Sequence, residues 1–303
     1  MNQKTKAFKI IYYILLIILL FTTVVSCGSK QQKPAPSDDK KDKIPKGLAS
    51  MEEKLEGIFK DIEKLQEEKE KPAEPPKKEE NKQEDKDQEK KSDGGGSEKQ
   101  GGNGQGEKDQ SNSGDQKKKE ENLSKEEKIK KMWEDITKTT EEIHTSWNDY
   151  ETQTIEDGAT SETINEFENS LNKLTISVEN KKDIEALLDI NNMTLYMSKL
   201  YDLYKGNPDG EVVRLKYYTR QIYLESATGM WEGVNELTTK LKETFERLRQ
   251  KIDISKDKEK LINKLNLSIE DLQNSIPEKN VKLIKIKRDI VLKNLEEVRG
   301  EAK

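Results

Sequence analysis

One cysteine and one histidine are the only residues of their kinds in this 303-residue chain, and they bound its chemistry. Cys27 closes an apolar run as Val24-Val25-Ser26-Cys27. A thiol in that setting is suited to thioether formation with a diacylglyceryl group, followed by cleavage before the cysteine and acylation of the new amine. Lys4, Lys6 and Lys9 supply a basic start, Ile10 to Val25 is nearly all apolar, and Ser26 is the small residue needed before the cut. The run is shorter than the roughly 20 residues of a membrane-spanning helix. Residues 1–26 are therefore expected to be a lipoprotein signal peptide, cut between Ser26 and Cys27, with Cys27 as the lipid attachment site. Two or three acyl chains hold a protein stably on a bilayer, whereas one is marginal. Gly28 stands where some bacteria place an aspartate for inner-membrane retention, so onward export is permitted.

His144 lies beside Ile143 and reads as a surface or boundary residue of a helix. No His-Glu-x-x-His, Cys-x-x-Cys or Gly-x-Ser-x-Gly occurs. Carboxylate pairs such as Glu141-Glu142 are what solvated helix faces carry in a chain with 60 acidic residues. No calcium-loop spacing with its glycine turn is present. The expectation is a non-enzymatic protein with no metal and no cofactor.

Charged residues make up 38% of the chain while the net charge is only −5, and mean hydropathy is −1.03. Dense, nearly balanced charge fits a disordered tether followed by charge-laced helices. Only six of the 55 basic residues are arginine, a skew read as a trace of an AT-rich genome. Nucleic-acid recognition wants a basic domain with arginine clusters, and this chain is mildly acidic. A single cysteine excludes disulfides within the chain, so the core alone must hold the fold.

Stepping along the chain, residues 27–46 hold Pro34, Pro36 and Pro45 among charges and predict a disordered tether. Leu48, Met51, Leu55, Ile58, Ile62 and Leu65 then recur at alternating spacings of three and four. This is an a/d seam over 47–70, weakened by Gly57. It would serve either as an amphipathic helix docked on the distal domain or as a weak self-associating coil through 48–65. Residues 71–122 are a low-complexity Lys/Glu/Gly-rich linker with nothing to build a core. As a flexible chain, about 50 residues span roughly 40 Å, which predicts a stalk that lifts the distal domain.

The folded part is expected over 123–303. Ser124-Lys-Glu-Glu127 forms a capping box. Ile129, Trp133, Ile136, Thr140, Ile143, Trp147 and Tyr150 make one helical stripe, and Ile164, Phe167, Leu171, Leu174 and Val178 a second. A third helix from Asp183 carries Ile184, Leu187, Leu188, Leu195, Leu200, Leu203 and Tyr204. Gly206-Asn-Pro-Asp-Gly210 breaks the chain. The periodic segment 211–252 is one helix kinked, or two divided, near 226–230. Helices around 256–274 and 277–299 follow, with Pro277 in the first turn of the second. No period-2 strand pattern occurs, so the fold class is all-α, a bundle of five to seven helices.

Tyr196, Tyr201, Tyr204, Tyr217, Tyr218 and Tyr223 crowd the middle of this bundle, most of them suited to core positions. Tyr217 and Tyr218 are adjacent and cannot both face inward. With Arg214, Lys216 and Arg220 nearby, they form the candidate partner-binding surface, because such aromatics combine apolar area with a polar edge. Lys303 is a second candidate contact, as a terminal lysine for a lysine-binding module.

The export segment, from Lys9-Ile-Ile-Tyr-Tyr-Ile-Leu-Leu to Val24-Val25-Ser26-Cys27, with the Lys/Glu/Gly-rich tether, resembles the surface lipoproteins of Borrelia-type spirochaetes. Within these it is most similar to the virulent-strain-associated lipoprotein group. Over 121–303 the likeness is one of composition. The resemblance implies a cell-surface, outer-membrane location and a host-facing role in adhesion or in binding complement or other immune proteins. A periplasm-facing structural or envelope lipoprotein is the alternative. Expected partners are the membrane, through the acyl chains, and a host or envelope protein.

Overall fold

A computed structural model describes residues 43–72, 123–252 and 256–302. Ser26, Cys27, Lys303, the signal peptide, nearly all of the tether and most of the 71–122 linker lie outside the described residues. Among those described, eight α-helices and one 3-10 turn account for the fold, and there is no strand. The all-α expectation holds. The helices are α1 (Lys46–Glu70), α2 (Lys125–Glu156), α3 (Ser161–Glu179), α4 (Asp183–Tyr201), α5 (Asp209–Ala227), α6 (Trp231–Lys251), α7 (Lys256–Ser275) and α8 (Val281–Ala302). None is long and apolar enough to cross a membrane.

Helix boundaries follow local chemistry. The capping box forms at α2: Ser124 Oγ accepts from the Glu127 amide and Glu127 accepts from the Ser124 amide at 2.8 Å. Thr160 caps α3 through the Thr163 amide. The 211–252 segment is two helices. Gly229, at φ +79°, supplies the left-handed residue that ends α5 before Trp231 opens α6. Pro277 falls in the 3-10 turn Ile276–Glu278, one step earlier than expected, and Asn280 caps α8 by accepting from Leu283 at 3.0 Å.

The helices close into two rings of four. In the first, α1 packs on α2, α2 on α3, α3 on α4 and α4 back on α1. In the second, α5 packs on α6, α6 on α7, α7 on α8 and α8 back on α5. The rings meet where α4 lies along α5, and one continuous apolar cluster runs through all eight helices. The stripes expected on α2 and α3 are the buried ones, with Ile129 partly exposed at the end of α2.

The reading of α4 needs correction. Its buried residues are Ala186, Leu187, Ile190, Met193, Met197 and Leu200, with Asn191, Thr194 and Ser198. Ile184, Leu188, Leu195 and Leu203 are only partly buried. This helix touches α1, α3 and α5. A helix enclosed on several sides carries no single apolar stripe for periodicity to find.

Of the two uses open to α1, the docked amphipathic helix is the one formed: α1 is part of the bundle and not a separate coil. Leu48, Met51, Leu55, Ile58, Phe59, Ile62 and Leu65 are all at most 1% exposed. Each such burial is worth roughly 1.5–3 kcal/mol before chain entropy is counted. The seam expected to offer self-association through 48–65 is thus filled within the chain. The helix runs antiparallel to α2: Lys54 Nζ donates to Ser146 Oγ at 2.9 Å, and near the other end Lys125 Nζ donates to the Lys69 carbonyl at 2.7 Å. The chain therefore leaves α1 and enters α2 at the same end of the bundle. The segment expected to act as a stalk thus starts and finishes at one end of the bundle, and its residues 73–122 lie outside the described residues.

Candidate functional site

The most organised polar feature is a ladder of charges between α1 and the second ring. Glu52, Glu56, Glu63 and Glu67 recur on α1 at spacings of four, seven and four, one flank of the helix. They face Lys216 and Arg220, one turn apart on α5, and Lys285, Arg288 and Arg299 on α8. The apolar seam of α1 fixes its rotation, and that rotation sets the carboxylates against the cations.

Glu52, only 5% exposed, is the hub. Its two oxygens accept from Arg299 at 2.6 and 2.8 Å, and one also accepts from the Tyr201 hydroxyl at 2.6 Å. Lys216 Nζ lies 3.3 Å away and reaches Glu56 at 3.4 Å and Glu296 at 2.9 Å. Arg299 donates in addition to Asp209 at 2.7 Å. One turn along, Arg220 holds Glu56 through two bonds of 2.8 and 2.7 Å while its guanidinium covers the Phe59 ring at 4.0 Å. Farther on, Arg288 pairs with Glu63 at 2.6 Å and lies over Tyr223 at 4.3 Å. Lys285 and Glu67 close the ladder at 3.3 Å in a more exposed setting.

Burial by itself would raise the Glu52 carboxyl. The Arg299 hydrogen bonds, with the charges of Lys216 and Arg299 and the Tyr201 hydroxyl, outweigh it and hold the group down to about 2. Glu56 is lowered too, burial being outweighed by Arg220 and Lys216. The Tyr201 hydroxyl is pushed up, first by burial and then by the Glu52 charge. Glu52 and Glu56 stay ionised with their oxygens turned to cations. These pairs tie α1 to α4, α5 and α8.

A second cluster ties α5 to α6. Glu211 accepts from Arg214 at 2.7 Å, Lys251 at 3.1 Å and Arg247 at 3.2 Å, and Arg214 also pairs with Asp202. His144 sits at the α2–α3 boundary as expected. Its Nε2 lies 2.8 Å from the Thr175 hydroxyl, which itself donates to the Leu171 carbonyl, so the ring nitrogen is the donor. Among the described residues no group of three or more His, Cys, Asp or Glu side chains is placed to hold a metal ion.

The candidate partner surface is altered. Arg220 is 3% exposed and bound to Glu56, and Arg214 is bound to Glu211 and Asp202. Lys216 is interior as well. None of the three forms a free basic surface, which corrects the mixed aromatic–basic reading. Tyr217 and Tyr218 are both half-buried, their rings edge to face at 5.0 Å. Burial pushes the Tyr217 hydroxyl up to about 12, helped by its neighbours Tyr218, Glu225 and Tyr196. Tyr196, also half-buried and covered by Lys199 at 4.9 Å, extends the patch across to α4.

A cleft of about 480 Å³ opens at the end of the bundle where Ile44, Lys46, Tyr201, Gly206, Asp209 and Arg299 meet. Another of about 630 Å³ lies at the opposite end of α1, among Gln66, Lys69, Asp183, Tyr223 and Lys285. The chain matches no known protein family, no curated protein and no solved structure.

Proposed function

We propose that this chain is a lipid-anchored surface lipoprotein, held at the outer membrane by acyl chains on Cys27. It presents its helical bundle to a host protein in adhesion or in a complement or immune interaction, and it catalyses no reaction. The observation that carries this reading is the order basic start, apolar run, Val24-Val25-Ser26-Cys27. The resemblance of that segment to Borrelia-type surface lipoproteins supplies the host-facing part. The half-buried Tyr196, Tyr217 and Tyr218 support a protein-binding role, since partly exposed aromatics on rigid helices can be covered at little entropic cost. Lys303 remains a second proposed contact.

Growth with labelled palmitate tests the anchor: label should enter the wild-type chain and be lost in Cys27→Ala. Protease added to intact cells should cut the chain, read as fragments on a denaturing gel whether or not the pieces stay together, and an uncut chain would instead favour a periplasm-facing envelope lipoprotein. The ligand is sought by capture from host plasma and matrix with residues 43–303, which keep α1 with its partners. Retention of any captured ligand by the Tyr217→Ala, Tyr218→Ala double variant would remove the aromatic patch from the reading.

A further inference from the structure

Every other helix is tied to its sequence neighbour by a short connection, but α1 has none. The chain reaches it from residues 43–45 and leaves through Lys71 and Pro72, with about 50 residues before α2 resumes at Lys125. Despite this its apolar seam is fully buried. Its apolar seam lies on α2 and α4, and its acidic flank reaches Lys216 and Arg220 on α5 and Arg288 and Arg299 on α8. Both of its ends are fixed: Lys125 donates to the Lys69 carbonyl, and the backbone at Gly47 passes against the Tyr150 ring.

We propose that α1 is an in-chain ligand of a groove made by α2, α4, α5 and α8. The bundle would then remain attached to the N-terminal segment by non-covalent contacts alone once the backbone between Pro72 and Leu123 is cut. Where Cys27 carries the lipid, which rests on the anchor reading, this makes α1 the joint between membrane and bundle. Scission of the 73–122 segment would not shed the protein.

The argument is one of relative strengths. A linker of this length supplies an effective concentration on the order of millimolar. Once it is lost, α1 stays in its groove only if the dissociation constant lies below the concentration of the fragments themselves, on the order of micromolar or less in solution. Seven enclosed apolar side chains, two carboxylates each clamped by a guanidinium group, and the Glu63–Arg288 ion pair supply a contact of that strength. Because the cut ends lie side by side at Lys69 and Lys125, scission also relieves no strain that would drive the pieces apart.

The test uses the full chain in detergent, with a site-specific protease sequence placed in tandem within Gly101–Gly106. After complete cleavage, the two fragments are expected to co-elute on size exclusion with helical circular dichroism unchanged. Separate elution of the bundle fragment overturns the proposal. In the cleaved protein, exchange with labelled 43–72 peptide should be roughly a hundredfold faster for Glu56→Ala than for wild type, as expected when a buried ion pair loses one partner. Equal exchange rates would remove the charged ladder from the proposal. Palmitate label on the N-terminal fragment reports the anchor independently, so loss of the label and separation of the fragments cannot be mistaken for each other.

Discussion

Arg299 on α8 closes on Glu52 of α1 through two parallel N–H···O bonds of 2.6 and 2.8 Å, joining the last described helix to the first. Both groups are largely out of water, and each completes the other's hydrogen bonding. Removing one partner strips the other of its two-pronged contact, leaving Arg299 with Asp209 or Glu52 with Lys216 and Tyr201, at a cost of up to about 3–5 kcal/mol. Glu52→Ala and Arg299→Ala should each lower stability by that order in urea unfolding. The double variant should cost clearly less than the sum, since it strands neither charge. Additive single effects would mean that the two residues act separately.

Acid should loosen the same clamp. The Glu52 carboxyl lies near 2 in the fold against an ordinary value of 4.5. A depressed carboxyl contributes stability that is present above its unfolded value and lost as pH falls through the folded one. The contribution is about 3 kcal/mol, lost between about pH 4.5 and pH 2, and Glu56 shifts the same way. Urea midpoints should therefore drop steeply across that interval in the wild type and less steeply in Glu52→Gln. Parallel profiles for the two proteins would contradict the assignment.

The helices of the first ring divide by how far the sequence reveals them. On α2 and α3 one side faces the core, so spacings of three and four pick out Trp133 through Tyr150 and Phe167 through Val178. On α4 the enclosure by three neighbours erases the stripe, and Ile190, Met193 and Met197 escape notice. For α1 the a/d seam is legible but its partner is not, because a self-coil and a docked helix need the same pattern. The signal that could have decided it is the arginine count. In a chain where six of 55 basic residues are arginine, Arg214, Arg220, Arg288 and Arg299 all have side chains at most 15% exposed and paired with carboxylates. A planar, weakly hydrated guanidinium suits such sites better than an ammonium, so four of the six arginines mark interior pairs, while Arg247 and Arg249 are exposed on α6. The spacing of Glu52, Glu56 and Glu63 was the complementary half of that signal.

Shortening the 73–122 segment to about ten residues should preserve the helical content and raise stability. The ends it joins are already adjacent, with Lys125 on the Lys69 carbonyl. Reducing a connection about fivefold in length lowers its closure cost by about 1.5 kcal/mol. Chemical denaturation of the shortened chain reads this as a higher midpoint at unchanged slope. A spacer between separate bodies would give no such gain, so an unchanged midpoint would count against the ring closure of α1 on α2.

Two glycines inside helices should respond in opposite directions to the same substitution. At Gly57 on α1 a methyl group meets nothing within 4 Å. Gly57→Ala then keeps every contact and removes backbone freedom from the unfolded chain, a gain of about 0.5–1 kcal/mol. At Gly210, in the first turn of α5, the methyl would press on the Asp202 carboxylate and lie 3.2 Å from the Ser198 carbonyl. That carboxylate is paired with Arg214, which also holds Glu211. Gly210→Ala must therefore shift either the α4–α5 contact or the ion pairs, at a cost of about 1–3 kcal/mol. Thermal melts of the two variants should move apart on either side of the wild type. A Gly210→Ala melt at or above the wild-type temperature would show that α4 and α5 do not approach this closely at the junction of the two rings.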